Sequence, residues 1–190
     1  MTLKTNVLVE NICNLSEARY CSGMGVQFLA CPAGQVDPTM FLAIKGWVQG
    51  PEMVVDISES AEHPDLNAYE ADFILVNSNQ LSAAANKSPL PFMVRLKADD
   101  LLNLDQLAKY FERIQFVIID VVSKKGIDKL SALKYKIIVS VDKKNSIQLT
   151  EILDLPIAGI LLTGETETAP GLKNYDHLSS VLEELEVEDY

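Results

Sequence analysis

Residues 7–31, VLVENICNLSEARYCSGMGVQFLAC, contain two apolar runs separated by an amphipathic stretch. The runs VLVENI (7–12) and VQFLAC (26–31) are short and rich in β-branched residues, which is typical of strands. Between them, LSEARYCSGM (15–24) carries apolar residues at helical spacing. Asn14, directly before this stretch, suits an N-cap because its side chain can accept a hydrogen bond from an otherwise unpaired amide. The segment therefore predicts a strand, a helix and a second strand.

The same pattern continues along the rest of the chain. Six further apolar runs follow: MVVDI (53–57), FILVN (73–77), FMVRL (92–96), FVIID (116–120), KIIVSV (136–141) and IAGILL (157–162). Amphipathic stretches of helical period occur between and after them: PTMFLAIKGWVQ (38–49), LLNLDQLAKYFERI (101–114), SIQLTEILDL (146–155) and NYDHLSSVLEEL (174–185). Asp37 and Asn174 suit the N-caps of two of these helices. Eight strands that alternate with helices predict a parallel sheet.

The predicted fold class is α/β. Near-continuous apolar strands fit a sheet that is buried on both faces, and eight strand–helix units close most naturally into a barrel. We therefore predict a single-domain (β/α)8 TIM barrel over residues 1–190, compact and with short loops; an open, doubly wound sheet is the alternative. Such barrels typically take about 250 residues. The helices in SAEHPDLNAYE (60–70), LSAAANKS (81–88) and GIDKLSALK (126–134) must therefore be brief or irregular.

The composition limits the partners. Sixteen basic residues stand against twenty-seven acidic ones, a formal net charge of −11. A chain this acidic is not expected to present the basic surface that nucleic acid or an anionic membrane binds. No run reaches the roughly 18–20 apolar residues of a transmembrane helix, and no export signal opens the chain. We expect a cytoplasmic protein in which Cys13, Cys21 and Cys31 are free and mostly buried thiols.

Metal ligands are sparse in the sequence. His63 and His177 have no further histidine or cysteine at ligand spacing, so we expect surface histidines and no metal or cofactor. The alternative is a divalent cation held by oxygen ligands. Up to four acidic residues could converge to provide these: Glu10, Asp56, Asp120 and Asp142.

The stretches after the first and the last predicted strands resemble those of a known enzyme family. VENICNLSEA (9–18) resembles the VKICGITNLEDA opening of phosphoribosylanthranilate isomerases, and GETETAPGLKNYDHL (164–178) resembles their GVExxPGxKDxxxI ending. FVIID is similar to the family's LLLD on strand 6, and VRLKA (94–98) to its VIKA on strand 5. The resemblance is collinear over nearly the whole chain, and Pro170, Gly171 and Lys173 form its most specific part.

The resemblance implies an activity. Enzymes of this family open a ribose ring and move hydrogen between C2′ and C1′ in tryptophan biosynthesis, with a strand-1 cysteine as base and a strand-6 aspartate as acid. They need no cofactor. Asp120 matches the acid. Counting back from Asn14 without a gap puts Glu10 at the position of the base, whereas a register with three loop residues deleted puts Cys13 there.

The phosphate-binding pattern of the family is altered in this chain. Where the family has LSGG after strand 7, residues 139–142 read VSVD, and where it has DxSSG at strand 8, residues 161–165 read LLTGE. Asp142 and Glu165 bring negative charge to places where backbone amides should receive an anion. The loop CPAGQVDP (31–38) also lacks the basic residue that the family carries there.

The ends of the strands provide the remaining candidates, because a barrel keeps its chemistry at their carboxyl ends. The predicted catalytic residues are Glu10, Asp120 and Cys13. The predicted substrate-binding residues are Asp56, Asn77, Lys97, Ser140, Asp142, Thr163 and Gly164. Alternatively, the two carboxylates are solvated groups near the strand ends, satisfied by hydrogen bonds to water or by Lys97 and Arg95. The other side chains are then ordinary turn and cap residues.

Three hypotheses for function follow. The first is an isomerase acting on a phosphoribosyl amine, with Glu10 or Cys13 as base and Asp120 as acid. The second is a barrel enzyme that transfers protons on a less anionic small molecule, with Val141, Asp142 and Glu165 reshaping the phosphate site. The third is a binding protein derived from the isomerase that has lost catalysis. Each expects a small-molecule ligand at the mouth of the barrel, and a homodimer is left open.

Overall fold

The chain folds into a closed barrel of eight parallel strands. The computed structural model describes residues 2–60, 64–97, 104–120, 127–128, 131–132, 134–141, 148–164 and 175–187. Each strand pairs with the next along the chain, and β8 pairs with β1. The strands are β1 Asn6–Glu10, β2 Phe28–Pro32, β3 Glu52–Asp56, β4 Phe73–Asn77, β5 Phe92–Leu96, β6 Ile114–Ile119, β7 Ile137–Ser140 and β8 Gly159–Thr163. The predicted (β/α)8 barrel is confirmed, and the open sheet is excluded.

Helices follow most of the strands. They are α1 Leu15–Gly23, α2 Pro38–Trp47, α3 Leu81–Lys87, α4 Asp105–Ala108, α5 Leu149–Leu153 and α6 Asp176–Glu184, with 3-10 turns at Leu66–Tyr69, Ser78–Gln80 and Phe111–Arg113. Between β3 and β4 the described residues form only a 3-10 turn, and α3 has seven residues, so these two segments are brief as predicted. The segment 126–134 lies partly outside the described residues.

The helix predicted over residues 101–114 is too long. Among its described residues, 104–114, only Asp105–Ala108 is α-helical, and a 3-10 turn covers Phe111–Arg113. The reason is that Ile114 already belongs to β6, where it pairs with Phe92 of β5. The chain must leave the helix before residue 114 to reach that position in the sheet.

Two of the predicted N-caps begin their helices. The Asn14 side chain accepts a hydrogen bond from the Glu17 amide at 2.9 Å, and the Asp37 side chain accepts one from the Met40 amide at 2.9 Å. Each satisfies an amide that has no partner within the helix. Asn174, the third predicted cap, lies outside the described residues.

The strands separate two hydrophobic cores. A smaller core inside the barrel takes side chains from all eight strands: Leu8, Phe28, Ala30, Val54, Phe73, Leu75, Met93, Phe116, Ile118, Ile138 and Leu161. Phe28 packs edge-on against Phe73 and Phe116, with ring centroids 5.7 and 5.2 Å apart. The larger core lies between the sheet and the helices. The apolar strands are thus buried on both faces, which explains why they do not alternate with polar residues.

A ring of residues follows the inner core at the carboxyl end of the barrel. Alternate residues of a strand face the same side, so the residue two positions after each uppermost core residue also faces inward. This ring consists of Glu10, Pro32, Asp56, Asn77, Arg95, Asp120, Ser140 and Thr163. All but Pro32 are polar, and three of them, Glu10, Asp56 and Asp120, are acidic. The ring forms the floor of any ligand site at this end of the barrel.

The pairing of β1 with β8 closes the barrel. Five residue pairs join them, from Asn6 opposite Gly159 to Glu10 opposite Thr163. A Cβ atom on Gly159 would lie 2.6 Å from the Asn6 carbonyl oxygen, so the two backbones meet too closely for any larger residue. Below the barrel, Leu3 and Glu186 form an isolated β-bridge. The two ends of the described chain therefore lie side by side.

The three cysteines are free thiols, as predicted. Cys21 and Cys31 are buried, and Cys13 is partly exposed. Burial raises the pKa of the Cys31 thiol well above its usual range, which leaves it inert as a nucleophile. Among the helices of the described residues, none combines the length and the apolar character that crossing a membrane requires.

Candidate functional site

A cavity of about 400 Å³ opens at the carboxyl end of the barrel. Its walls come from strand ends and the loops after them: Glu10, Asn11, Pro32, Gly34, Gln35, Asp56, Glu59, Ser60, Arg95 and Thr163. Five of these belong to the inward-facing ring, from β1, β2, β3, β5 and β8. Barrels of this architecture keep their active sites at this end, so the cavity is the candidate site.

Glu10, the last residue of β1, is held by both of its carboxylate oxygens. Oε2 accepts a short hydrogen bond from the Arg95 guanidinium, and Oε1 accepts one from the Thr163 hydroxyl at 2.9 Å. Only 14% of the side chain is exposed. The two bonds fix the orientation of the carboxylate in the cavity wall, and they place Glu10, predicted as the base, beside a cation.

Arg95 stands between two carboxylates. Its Nη2 is bonded to Glu10, and its Nε lies 3.9 Å from Asp120 Oδ1. Burial alone lowers the pKa of Arg95, but the charges of Glu10, Asp120 and Asp56 together outweigh it, so that the net shift is upward. Arg95 is therefore a permanent cation of the site.

Asp120, predicted as the acid, directly follows β6 and faces the same end of the barrel. Its side chain is 48% exposed, and it is not among the described residues that line the cavity. Its contact with Arg95 is longer than a hydrogen bond. Asp120 is thus connected to the cavity wall by its contact with Arg95, which lines the cavity.

Asp56, at the end of β3, is the most buried carboxyl group of the cavity. The residue is 8% exposed, and its Oδ1 accepts a hydrogen bond from the Ser58 amide at 2.8 Å. Burial raises the pKa of Asp56, and the charge of Glu10 adds to the rise, whereas Ser58 and Arg95 oppose it. Among the described residues, no basic side chain forms an ion pair with Asp56.

Cys13 lies after the end of β1, beside the start of α1. Its thiol donates to Gln35 Oε1 at 3.3 Å and to the Asn11 side-chain oxygen at 3.4 Å, and its amide donates to Glu17 Oε2 at 3.3 Å. Cys13 is not among the described residues of the cavity wall, whereas Glu10 is. Of the two candidates for the base, Glu10 is therefore the one that faces the cavity.

Asn11 and Gly164 connect the ends of β1 and β8. Asn11 has a left-handed backbone with φ 62°, which asparagine tolerates better than most residues, and its side-chain amide donates to the Gly164 carbonyl at 2.9 Å. The Gly164 amide donates to the Glu10 carbonyl at 2.8 Å. A Cβ on Gly164 would lie 2.6 Å from Glu17 Oε1. Gly164, predicted to bind substrate, therefore packs closely against the Glu17 side chain and the Glu10 carbonyl.

Three other predicted substrate-binding residues are described, Asn77, Lys97 and Ser140, and none of them is among the described residues that line the cavity. The Asn77 side chain donates to the Ser58 carbonyl at 2.7 Å, so it holds the loop that follows β3. Ser140 is buried at the end of β7, and Lys97 is exposed just after β5. Asp142, Glu165, Pro170, Gly171, Lys173 and His63 lie outside the described residues, and His177 is half-buried in α6.

Arg95 lines the cavity but was predicted only as a counter-ion for the carboxylates, not as a site residue. The signal was present, because Arg95 is the one charged residue inside the apolar run FMVRL. Asn11, Gln35, Glu59 and Ser60 were also missed; they lie in loops, where no periodicity indicates which side chains face the ligand. Among the residues that the structure describes, no three acidic, histidine or cysteine side chains are arranged to hold a metal ion.

The sequence matches no protein-family model and no curated protein. Solved structures do match. Phosphoribosyl anthranilate isomerase from Thermus thermophilus has a TM-score of 0.69 at 15% identity over 95% of this chain and 98% of its own. TrpF from Jonesia denitrificans has a TM-score of 0.65 at 11% identity, covering 94% and 95% of the two chains. A truncated 3-deoxy-D-arabino-heptulosonate 7-phosphate synthase from Thermotoga maritima has 0.65 at 14%, covering 95% and 84%.

These likenesses define the class of protein: a TIM barrel with its candidate site at the carboxyl ends of the strands. Within that class, the chain has a fold like that of phosphoribosylanthranilate isomerase, from which it is distant in sequence. At identities of 11–15% the likeness establishes the fold. Activity has to be argued from the residues of the site.

Proposed function

We propose that this chain is an aldose–ketose isomerase of the phosphoribosylanthranilate isomerase type, in which cavity carboxyl groups transfer the proton. One observation carries the proposal. Glu10, which the register without a gap aligns with the base of the resembling family, ends β1 in the cavity wall with both oxygens hydrogen-bonded. The fold likeness supports the same activity.

The proposed chemistry moves hydrogen between two neighbouring carbons of a ring-opened sugar. It needs one group that takes a proton from carbon and another that gives a proton to the ring oxygen. Glu10 is the proposed base, because Arg95 and Thr163 hold its carboxylate in one orientation. Asp120 contributes through Arg95, whose Nε lies 3.9 Å from Asp120 Oδ1. The other predicted residues remain proposed contacts to the substrate, and no cofactor is proposed.

A second candidate is a barrel enzyme that carries out the same proton transfer on a less anionic molecule. The charge of the cavity wall favours it. Three carboxyl groups, Glu10, Asp56 and Glu59, line the described wall, against the single cation of Arg95. A phosphate dianion bound in contact with this wall would be repelled. The two candidates share the base and differ in the substrate.

The test is isomerisation of phosphoribosylanthranilate by the purified full chain, followed by loss of the substrate's fluorescence. We expect turnover by the wild type, and a loss of about 100-fold or more in kcat for Glu10→Gln, because a positioned acid or base contributes at least this factor. Asp120→Asn should lower kcat less. The matched control is Glu52→Gln: Glu52 is exposed at the opposite end of β3, so this variant should keep wild-type activity.

Each result selects one hypothesis. Turnover that Glu10→Gln abolishes supports the isomerase. If the wild type converts no phosphoribosylanthranilate, the isomerase proposal fails, and uncharged and cationic sugar amines become the substrates to test. A protein that binds such compounds without converting them would be the non-catalytic binding protein.

A further inference from the structure

Asp56 is a buried carboxyl group to which the proposed isomerisation assigns no proton transfer. It ends β3, faces the same cavity as Glu10, and is 8% exposed. The Ser58 amide holds Oδ1 at 2.8 Å, which fixes the side chain in the cavity wall. Buried carboxyl groups usually have an ion-pair partner or a function. Asp56 has no ion pair among the described residues.

Among the described residues, two charged groups act on Asp56: Glu10 on β1 raises its pKa, and Arg95 on β5 lowers it. The Cys31 thiol on β2 and Glu59 in the loop after β3 are further titratable neighbours. The Arg95 guanidinium is already bonded to Glu10. Burial and the Glu10 charge raise the pKa of Asp56. Two neighbouring carboxyl groups in such different surroundings are a common arrangement for an acid and a base.

We propose that Asp56 is the proton donor of this cavity, acting opposite Glu10 as the proton acceptor. The inference rests on the proposed isomerisation and gives it an acid. Asp120, predicted as the acid, is about half exposed and lies outside the described cavity wall, whereas Asp56 forms part of that wall. In this proposal Asp56 is the catalytic acid, Glu10 is the catalytic base, and Asp120 is a positioning residue that acts on Arg95.

The proposed step conserves protons and electrons. Asp56 gives its proton to the ring oxygen of the sugar amine as the C1–O bond breaks, and the electron pair of that bond stays on the oxygen. The nitrogen then forms a double bond to C1. Glu10 takes the proton from C2, and the electrons of that C–H bond form a C1–C2 double bond that neutralises the nitrogen. The substrate gains one proton and loses one, and exchange with water returns a proton from Glu10 to Asp56.

The first experiment needs no substrate. Infrared spectra of the wild type and of Asp56→Asn are recorded across a pH series, and their difference isolates the protonated-carboxyl stretch of Asp56. We expect this stretch to persist above the range in which an ordinary aspartate ionises. Loss of the stretch within the ordinary range overturns the inference. If Asp56→Asn does not fold, Asp56→Ser replaces it as the reference.

The second experiment measures the effect of Asp56 on turnover. With phosphoribosylanthranilate, Asp56→Asn should lower kcat by about 100-fold or more, with KM changed far less. Asp56→Glu, which keeps the proton, should restore part of the rate, and Glu52→Gln on the same strand should leave it unchanged. The acidic and basic limbs of the kcat profile should depend on different residues. Wild-type kcat in Asp56→Asn overturns the inference.

The two experiments separate this inference from the proposed function. A wild type that turns over phosphoribosylanthranilate while Asp56→Asn keeps full activity retains the isomerase and removes Asp56 from its mechanism. A wild type without turnover whose Asp56 stretch persists to higher pH removes the isomerase and supports Asp56 as the proton donor for another substrate of the cavity.

Discussion

Arg95 provides the positive charge of the described cavity wall. Its guanidinium is bonded to Glu10, and both side chains are about 15% exposed. Replacing Arg95 by methionine keeps most of the apolar stem but leaves the Glu10 carboxylate without its counter-ion. We expect Arg95→Met to lower the free energy of unfolding by about 3 kcal/mol, because removing one member of a buried ion pair leaves an uncompensated charge. Urea denaturation measures this loss.

The double variant Arg95→Met/Glu10→Gln is the informative partner, because it removes the uncompensated charge and should recover part of the loss. The control is Lys45→Met, which breaks the ion pair with Asp72. Both side chains of that pair are more than a third exposed, so the cost should stay below about 1 kcal/mol. Equal losses in Arg95→Met and Lys45→Met would contradict the assignment of a buried pair.

Alternation along the strands explains which site residues the sequence could identify. Asp56 and Thr163 were predicted because they end their strands, and Glu10 from the family resemblance; all three line the cavity. On β5 the predicted residue was Lys97, two positions beyond Arg95. Arg95 stands two positions after the inner core residue Met93, so it faces inward, whereas Lys97 follows the strand and is exposed. The ends of strands in the sequence are uncertain by a few residues, and this uncertainty decides between neighbouring candidates.

At the scale of elements, the junction of β8 with β1 and α1 depends on one glycine. Gly164 approaches Glu17 of α1 and the Glu10 carbonyl so closely that a Cβ would be 2.6 Å from Glu17 Oε1 and 3.1 Å from that carbonyl oxygen. We expect Gly164→Ala to lower the free energy of unfolding by about 1–3 kcal/mol, as overpacking of a tight interior does. It should also weaken ligand binding, because Glu10 belongs to the cavity wall.

The control for this variant is Gly46→Ala. Gly46 lies within α2 and is exposed, and a Cβ there would meet nothing within 4 Å. Alanine is the better helix former, so this change should stabilise the protein by up to about 1 kcal/mol. The same chemical substitution is thus predicted to have opposite signs at the two positions. A stabilising effect of Gly164→Ala would show that the junction tolerates a side chain.

Elements were predictable where local signals and packing agree. The Asn14 and Asp37 caps begin their helices because each side chain satisfies a backbone amide three residues later. The stretch 101–114 has a helical apolar period, yet its end is taken by β6. Pairing between strands that are distant in sequence decided this boundary, and no local pattern carries that information.

At the scale of the whole molecule, the stability should depend on pH through Asp56. Its pKa is raised in the folded protein above that of the unfolded chain. The folded state therefore holds more protons than the unfolded state between these two pKa values, and stability falls as pH rises through this interval. Below the interval the contribution is fully present. Urea midpoints across a pH series measure the slope.

Asp56→Asn removes this titration. We expect the variant to gain stability relative to the wild type as pH rises, and to exceed it at neutral pH, because the buried amide carries no charge. Glu52→Gln, at the exposed end of the same strand, should follow the wild-type curve. Parallel curves for the wild type and Asp56→Asn would contradict a raised pKa for Asp56.

The fold as a whole was more predictable than the site. Eight apolar runs at regular intervals specify the barrel redundantly, so an error in one helix leaves the architecture unchanged. The site depends on single side chains such as Arg95 and on loop residues such as Glu59, where nothing in the sequence repeats.

The pairing of β1 with β8 also has a consequence for synthesis of the chain. One edge of β1 pairs with β2, and the other edge finds its partner in residues 159–163, so the first strand leaves the ribosome long before the partner of that second edge is made. At about 5–20 residues per second, β1 waits on the order of ten to thirty seconds with one edge unpaired. An unpaired apolar strand edge invites pairing with other chains. We therefore expect the nascent barrel to depend on chaperones until translation has passed β8.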